Sequence, residues 1–167
     1  MSTALPPKPR HRGARSHVLI VASEYNQEFT DALVTNTQEE LDELLGSGRC
    51  DLVRVPGAFE IPAVAEAFIA EEKPDVVIAL GLILRGQTMH GDHIASTVTE
   101  TLMEMSVRHR MPIIHEVLLV EDEKQAYARC IGSKLNRGRE AARSAVRALD
   151  TFAQLKRTST RHFPSNA

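Results

Sequence analysis

The chain has 167 residues, 43% apolar and 25% charged, with a formal net charge of −2. That length suits one domain around a single core, and the composition is that of a globular protein. No apolar run approaches the ~20 residues of a membrane span, residues 5–9 lack the apolar heart of a secretory leader, and Cys50 and Cys130 lack metal spacing, so a cytoplasmic protein with reduced thiols is expected.

The charge is unevenly placed. Residues 1–17 hold Lys8, Arg10, Arg12 and Arg15 without an acid, and residues 151–167 hold Lys156, Arg157 and Arg161 without one, leaving 13 basic against 22 acidic residues between them. Such tails read as solvated ends rather than as nucleic-acid contacts. Residues 1–16, with three prolines and little to bury, predict a mobile or extended arm; residues 17–156 form the domain, and 157–167 a disordered tail.

A first strand is predicted over 17–23, where Val18, Leu19, Ile20 and Val21 form the continuous apolar run of a strand buried on both faces. A helix over 28–45 follows, with Phe29, Leu33, Thr37, Leu41 and Leu44 on one stripe and Gly46 ending it. A short strand over 51–55 stops at Pro56-Gly57. A second helix runs over 59–72, with Pro62 in its first turn, where proline is tolerated. A third strand, 75–80, leads into a loop over 81–93, and a third helix, 92–109, buries Ile94, Val98, Leu102 and Met105. A fourth strand over 113–120 and helices over 123–130 and 137–155 complete the chain. Strand and helix alternate, which predicts an α/β fold: a single-domain, doubly wound, flavodoxin-like sheet of about four parallel strands with helices on both faces.

In such a sheet the turns after the strands gather at one edge, where ligands bind. The 81–93 segment is the richest of them. Its glycines let a ligand approach the backbone, Arg85, Gln87 and Thr88 offer donors to an anion, and His90 and His93 titrate near neutrality. His90, placed in the loop, is the preferred proton carrier, whereas His93 reads as a helix-face residue. Their spacing also allows a metal, but no third ligand is evident, so no metal is expected. In the 55–62 segment, two prolines and Gly57 fix Phe59 and Glu60 at a strand end. Glu60 can accept hydrogen bonds from a polar ring or hydroxyls, or serve only the helix dipole. Tyr25, in the turn after the first strand, can stack on a flat ring or pack.

Taken in order, Val55-Pro56-Gly57-Ala58-Phe59-Glu60-Ile61-Pro62, the loop from Gly81 to His90, Gln125-Ala126 leading to Arg129, and Asn136-Arg137-Gly138 with Glu140-Ala141-Ala142 resemble the 6,7-dimethyl-8-ribityllumazine synthase family. The resemblance spans residues 18–149. It implies a transferase-class condensing enzyme of riboflavin biosynthesis. Such an enzyme joins 5-amino-6-(D-ribitylamino)uracil to 3,4-dihydroxy-2-butanone 4-phosphate, with release of phosphate and water and without a metal or organic cofactor. Its partners are those two small molecules, one of them phosphorylated, with neither nucleic acid nor membrane. By the resemblance, Tyr25, Ala58, Phe59, Glu60, Leu82, Ile83, Leu84 and His115 line the pyrimidine and ribityl site. Gln87, Thr88 and Arg129 hold the phosphate, Arg137 and Glu140 support, and His90 shuttles protons. The family forms homo-pentamers, some of them assembled into 60-subunit shells, with sites completed by a neighbouring subunit.

This chain departs from the family pattern at several positions. His115 stands where Phe is usual, Glu116 where Gly is frequent, Arg137 in place of a lysine, and Tyr25 in place of Phe or Trp. His115 and Glu116 motivate an alternative: a weakly catalytic protein of the same fold that binds or stores flavin precursors.

Overall fold

The computed structural model describes residues 5–10, 15–46 and 48–162. Four strands, β1 (His17–Ser23), β2 (Arg49–Val55), β3 (Val76–Leu84) and β4 (Ile113–Val120), lie in one sheet of order β2-β1-β3-β4. Every pairing is parallel. The helices are α1 (Gln27–Leu45), α2 (Ile61–Glu72), α3 (His90–His109), α4 (Glu123–Cys130) and α5 (Arg137–His162). This is the flavodoxin-like doubly wound arrangement.

Alternation along the strands divides the core into two layers. Val18, Ile20 and Ala22 of β1 face α1, α4 and α5, meeting Leu33, Ala126, Ala142 and Val146. Leu19 and Val21 face α2 and α3, meeting Ile61, Ala65, Val98 and Leu102. Burial on both faces is why the two central strands, β1 and β3, read as continuous apolar runs, whereas the edge strands β2 and β4 also carry polar residues such as Asp51, Arg54, His115 and Glu116. Each fully buried Leu, Ile or Val contributes about 1.5–3 kcal/mol.

The α1–α5 packing depends on one glycine. A Cβ at Gly138 would lie 2.6 Å from the Leu33 carbonyl oxygen. The Thr37 hydroxyl sits between the helices, 2.7 Å from the Leu33 carbonyl and 3.1 Å from that of Gly138. Nearby, Arg143 and Glu40, both buried, pair at 2.7 Å. The Arg143 guanidinium also donates to the Pro6 carbonyl, and Lys8 pairs with Glu43.

Several boundaries differ from the sequence expectation. β3 runs to Leu84, so Gly81, Leu82, Ile83 and Leu84 belong to a strand rather than to a loop. Gly81 reads as a turn, but beside it the Ser23 hydroxyl and the Ile61 and Val117 side chains fill the space a Cβ would need. α3 begins at His90, two residues early, so His90 is the first helical residue and not a loop residue. β2 starts at Arg49, aligned with His17. α5 continues past 155 to His162, into the segment expected to be a tail, and residues 163–167 lie outside the described residues. In the expected arm, residues 5–10 have no regular secondary structure, and residues 1–4 and 11–14 lie outside the described residues.

Candidate active site

The strand order reverses direction at β1 and β3, and the crevice beyond their carboxyl ends is the favoured ligand position in such sheets. A cavity of about 720 Å³ opens there. Its walls are Tyr25 and Asn26 after β1, residues 57–60 after β2, Leu82, Ile83 and Leu84 at the end of β3, and His90, His93, Ile94 and Thr97 on α3. Of the residues expected at the pyrimidine and ribityl site, all but His115 line it, together with His90.

Local geometry fixes these side chains. The Glu24 and Tyr25 N–H groups donate to the carbonyls of Val55 and Pro56, at 2.8 and 3.1 Å, tying the turn after β1 to the turn after β2. The Tyr25 ring then lies against Gly57, where a Cβ would come within 3.1 Å of it. Tyr25 and Phe59 remain 69% and 59% exposed. Two aromatic faces left open at one cavity mouth suit a flat ring. Glu60 Oε2 accepts the Gly57 N–H at 2.9 Å, and the side chain lines the cavity.

Asn26 and Thr97 were not singled out in the sequence. Asn26 is left-handed (φ 59°, ψ 48°), a conformation asparagine tolerates better than most residues, and its Nδ2 donates to the Leu82 carbonyl at 2.8 Å. An asparagine in the short turn between a buried strand and a helix is the signal that points to such a link. His93, assigned to a bare helix face, lines the cavity as well.

The remaining expected residues lie elsewhere. Gln87 and Thr88 are exposed in the short loop before α3 and are not part of the cavity wall. Arg129 is on α4, in the opposite layer, with its Nη1 donating to the Gln125 carbonyl at 3.3 Å. His115, on β4, is 3.0 Å from the Thr99 hydroxyl, and burial pushes its pKa down. Arg137 and Glu140 pair with each other at the start of α5. Glu116, aligned with Leu80, lies close to that pair; burial raises its carboxyl to about 7, with Arg137 opposing the rise and Glu140 adding to it. Burial also pushes the Cys130 thiol up to about 12, which removes it as a nucleophile. Among the described residues, no three His, Cys, Asp or Glu side chains gather as a metal site, and no helix is long and apolar enough to cross a membrane.

The model of the 6,7-dimethyl-8-ribityllumazine synthase family matches residues 15–153. The chain belongs to that family. It is similar to 6,7-dimethyl-8-ribityllumazine synthases of Xanthomonas campestris pv. campestris (strain B100), at 38% identity over 136 residues, and of Stenotrophomonas maltophilia (strain R551-3), at 35% over 137 residues. Each alignment covers 81% of this chain and 88% of the relative. A GDP-L-fucose synthetase from Naegleria fowleri bound to NADP aligns at 12% identity, covering 97% of this chain and 50% of that one, but the TM-score of 0.41 carries no argument. His115 and Glu116 lie side by side on the edge strand β4.

Proposed function

We propose that this chain condenses 5-amino-6-(D-ribitylamino)uracil with 3,4-dihydroxy-2-butanone 4-phosphate to form 6,7-dimethyl-8-ribityllumazine in riboflavin biosynthesis, releasing phosphate and water. The observation that carries this reading is the cavity at the β1–β3 switch point, with two open aromatic rings, one carboxylate and a histidine at a helix start, in a member of this family. Tyr25 and Phe59 hold the pyrimidine ring, with Ala58 and the main chain from Leu82 to Leu84 beside it. Glu60, anchored through one oxygen, offers the other to the ribityl hydroxyls.

Imine formation, phosphate elimination and ring closure each move protons. His90 is the group placed to carry them, a contribution of about 10²–10⁴ in rate. Much of the remaining acceleration is the positioning of two bound reactants. The Gln87 and Thr88 N–H groups receive the phosphate, and Arg129 pairs with it as a planar fork. Because Arg129, His115, Arg137 and Glu140 lie away from the cavity of their own chain, they serve the cavity of a neighbouring subunit in a cytoplasmic homo-pentamer, alone or as part of a 60-subunit shell. The reaction calls for no metal or organic cofactor.

The test is product formation from the two purified substrates, followed by lumazine absorbance. Turnover supports the enzyme. Ring binding without turnover favours the second reading, a precursor-binding protein, which the polar His115 and Glu116 motivate. Size-exclusion chromatography with light scattering separates pentamer from shell.

A further inference from the structure

Arg85 is the cation nearest in sequence to the Gln87–Thr88 loop, yet its guanidinium is already engaged. Nη2 pairs with Asp92 Oδ1 at 2.6 Å, in the first turn of α3, two residues after His90. Nη1 pairs with Glu121, the residue directly after β4. The Arg85 N–H donates to the Val120 carbonyl at 2.9 Å, extending the β3–β4 pairing by one step. Both ends of the 86–89 loop are therefore fixed to one guanidinium, through the main chain on one side and Asp92 on the other.

The contacts continue beyond Glu121. Its N–H donates to the Gln125 side-chain oxygen at 3.4 Å, and the Gln125 carbonyl accepts from Arg129 Nη1 at 3.3 Å. Asp122 caps the same helix by accepting the Gln125 N–H at 2.7 Å. A contiguous set of hydrogen bonds and ion pairs thus joins the loop that carries Gln87 and Thr88 to the helix that carries Arg129. Arg129 belongs to the layer opposite the cavity, so the two ends of this set face different sites.

We propose that Arg85 is a positioning residue for phosphate recognition at two adjacent sites. It sets the Gln87–Thr88 loop for its own cavity and, through Glu121 and Gln125, orients Arg129 for the cavity of the next subunit. This rests on the lumazine synthase reading above. Arg85 acts through other groups and does not itself touch the phosphate, since both outer nitrogens of its fork are occupied by carboxylates. Exposed ion pairs of this kind add little to stability, so positioning and stability make different predictions.

The experiment compares the full-length wild type with Arg85→Met, Arg85→Lys and Glu121→Gln. The Michaelis constant for each substrate and inhibition by inorganic phosphate are measured. Arg85→Met should raise KM for the phosphorylated substrate, and the inhibition constant for phosphate, by about tenfold, equivalent to about 1.4 kcal/mol. KM for the pyrimidine should stay within about twofold, and Tm should fall by less than about 4 °C. Arg85→Lys, which keeps the charge but not the two-armed fork, should recover part of the loss. Glu121→Gln should show the same pattern more weakly. If the wild type turns over but phosphate inhibition is unchanged in Arg85→Met, or both Michaelis constants rise together, the positioning role is overturned while the enzyme reading stands. A wild type that makes no lumazine overturns both.

Discussion

The cavity and the charged group on β4, α4 and α5 are assembled in opposite ways. The cavity is built from strand ends at the centre of the sheet, and its side chains are held by main-chain ties such as Tyr25 N–H to Pro56 and Asn26 to Leu82. The charged group sits at the sheet's edge, on a strand that among the described residues pairs only with β3, and it is held by side-chain pairs such as Arg137 with Glu140. The first is shaped by one chain alone. The second lies outside that cavity, with the Arg137 and Glu140 side chains only 12% and 21% exposed, and in the proposed pentamer it serves the site of another copy.

Complementation puts that contrast to the strongest test. His90→Ala should lower kcat about 100-fold with little change in phosphate binding. Arg129→Ala should cost about 100-fold in kcat/KM, mainly through the phosphorylated substrate. Co-expressed, the two inactive variants should regain activity, because some interfaces then join an intact His90 to an intact Arg129. A mixture that stays as inactive as its components would place His90 and Arg129 in one site formed within a single chain.

A second way to separate the regions is through their supports. Gly138→Ala pushes a methyl group against the Leu33 carbonyl, an overpacking cost of about 1–3 kcal/mol. Tm should fall by about 3–10 °C, and the charged side should suffer first, since Arg137 and Glu140 flank this glycine. Thermal melts read alongside kinetics test it: an unchanged Tm would show that α1 and α5 can separate freely.

Smaller effects are expected on the cavity side. Tyr25→Ala removes one stacking face, worth about 0.5–1.5 kcal/mol. It should raise KM for the pyrimidine by up to about tenfold while leaving the phosphorylated substrate unaffected. Equal changes for both would mean that Tyr25 only shapes the turn.

The smallest effect is on pH dependence. Glu116 titrates near 7, above its ordinary 4.5, because burial disfavours the carboxylate. Between those values the folded chain holds a proton that the unfolded chain releases, so this group's contribution to stability is complete below pH 4.5 and declines as pH rises through 7. Glu116→Gln should therefore raise Tm by about 3 °C at pH 8 relative to the wild type, and by less at pH 5. A shift of equal size at both pH values would remove the titration as its cause.

The fold was legible because both faces of the central strands are covered: continuous apolar runs marked β1 and β3, and stripes such as Phe29, Leu33, Thr37 and Leu41 marked the helix faces. The errors fell where one residue type serves two purposes. Gly81 signals a turn, yet lies within β3 because Ser23 and Ile61 crowd it. Of the cavity wall, Tyr25 and Phe59 were legible from residue types at strand ends, whereas Ala58 and Leu82 to Leu84 followed only from the family resemblance. The division between the cavity and the charged group was not, because layer and edge position follow from strand order, and no local spacing encodes that order.

The bond from Asn26 to Leu82 carries a chemical liability. Loss of the side-chain amide nitrogen, the slow hydrolysis to which asparagine is prone, would convert Asn26 into aspartate and replace the donor 2.8 Å from the Leu82 carbonyl with a second acceptor. Two oxygens facing each other repel, and the turn carrying Tyr25 would detach from the end of β3. The turn would then be held only by its N–H ties to Val55 and Pro56, so the cavity wall that carries Tyr25 would loosen with age while the rest of the fold stayed intact.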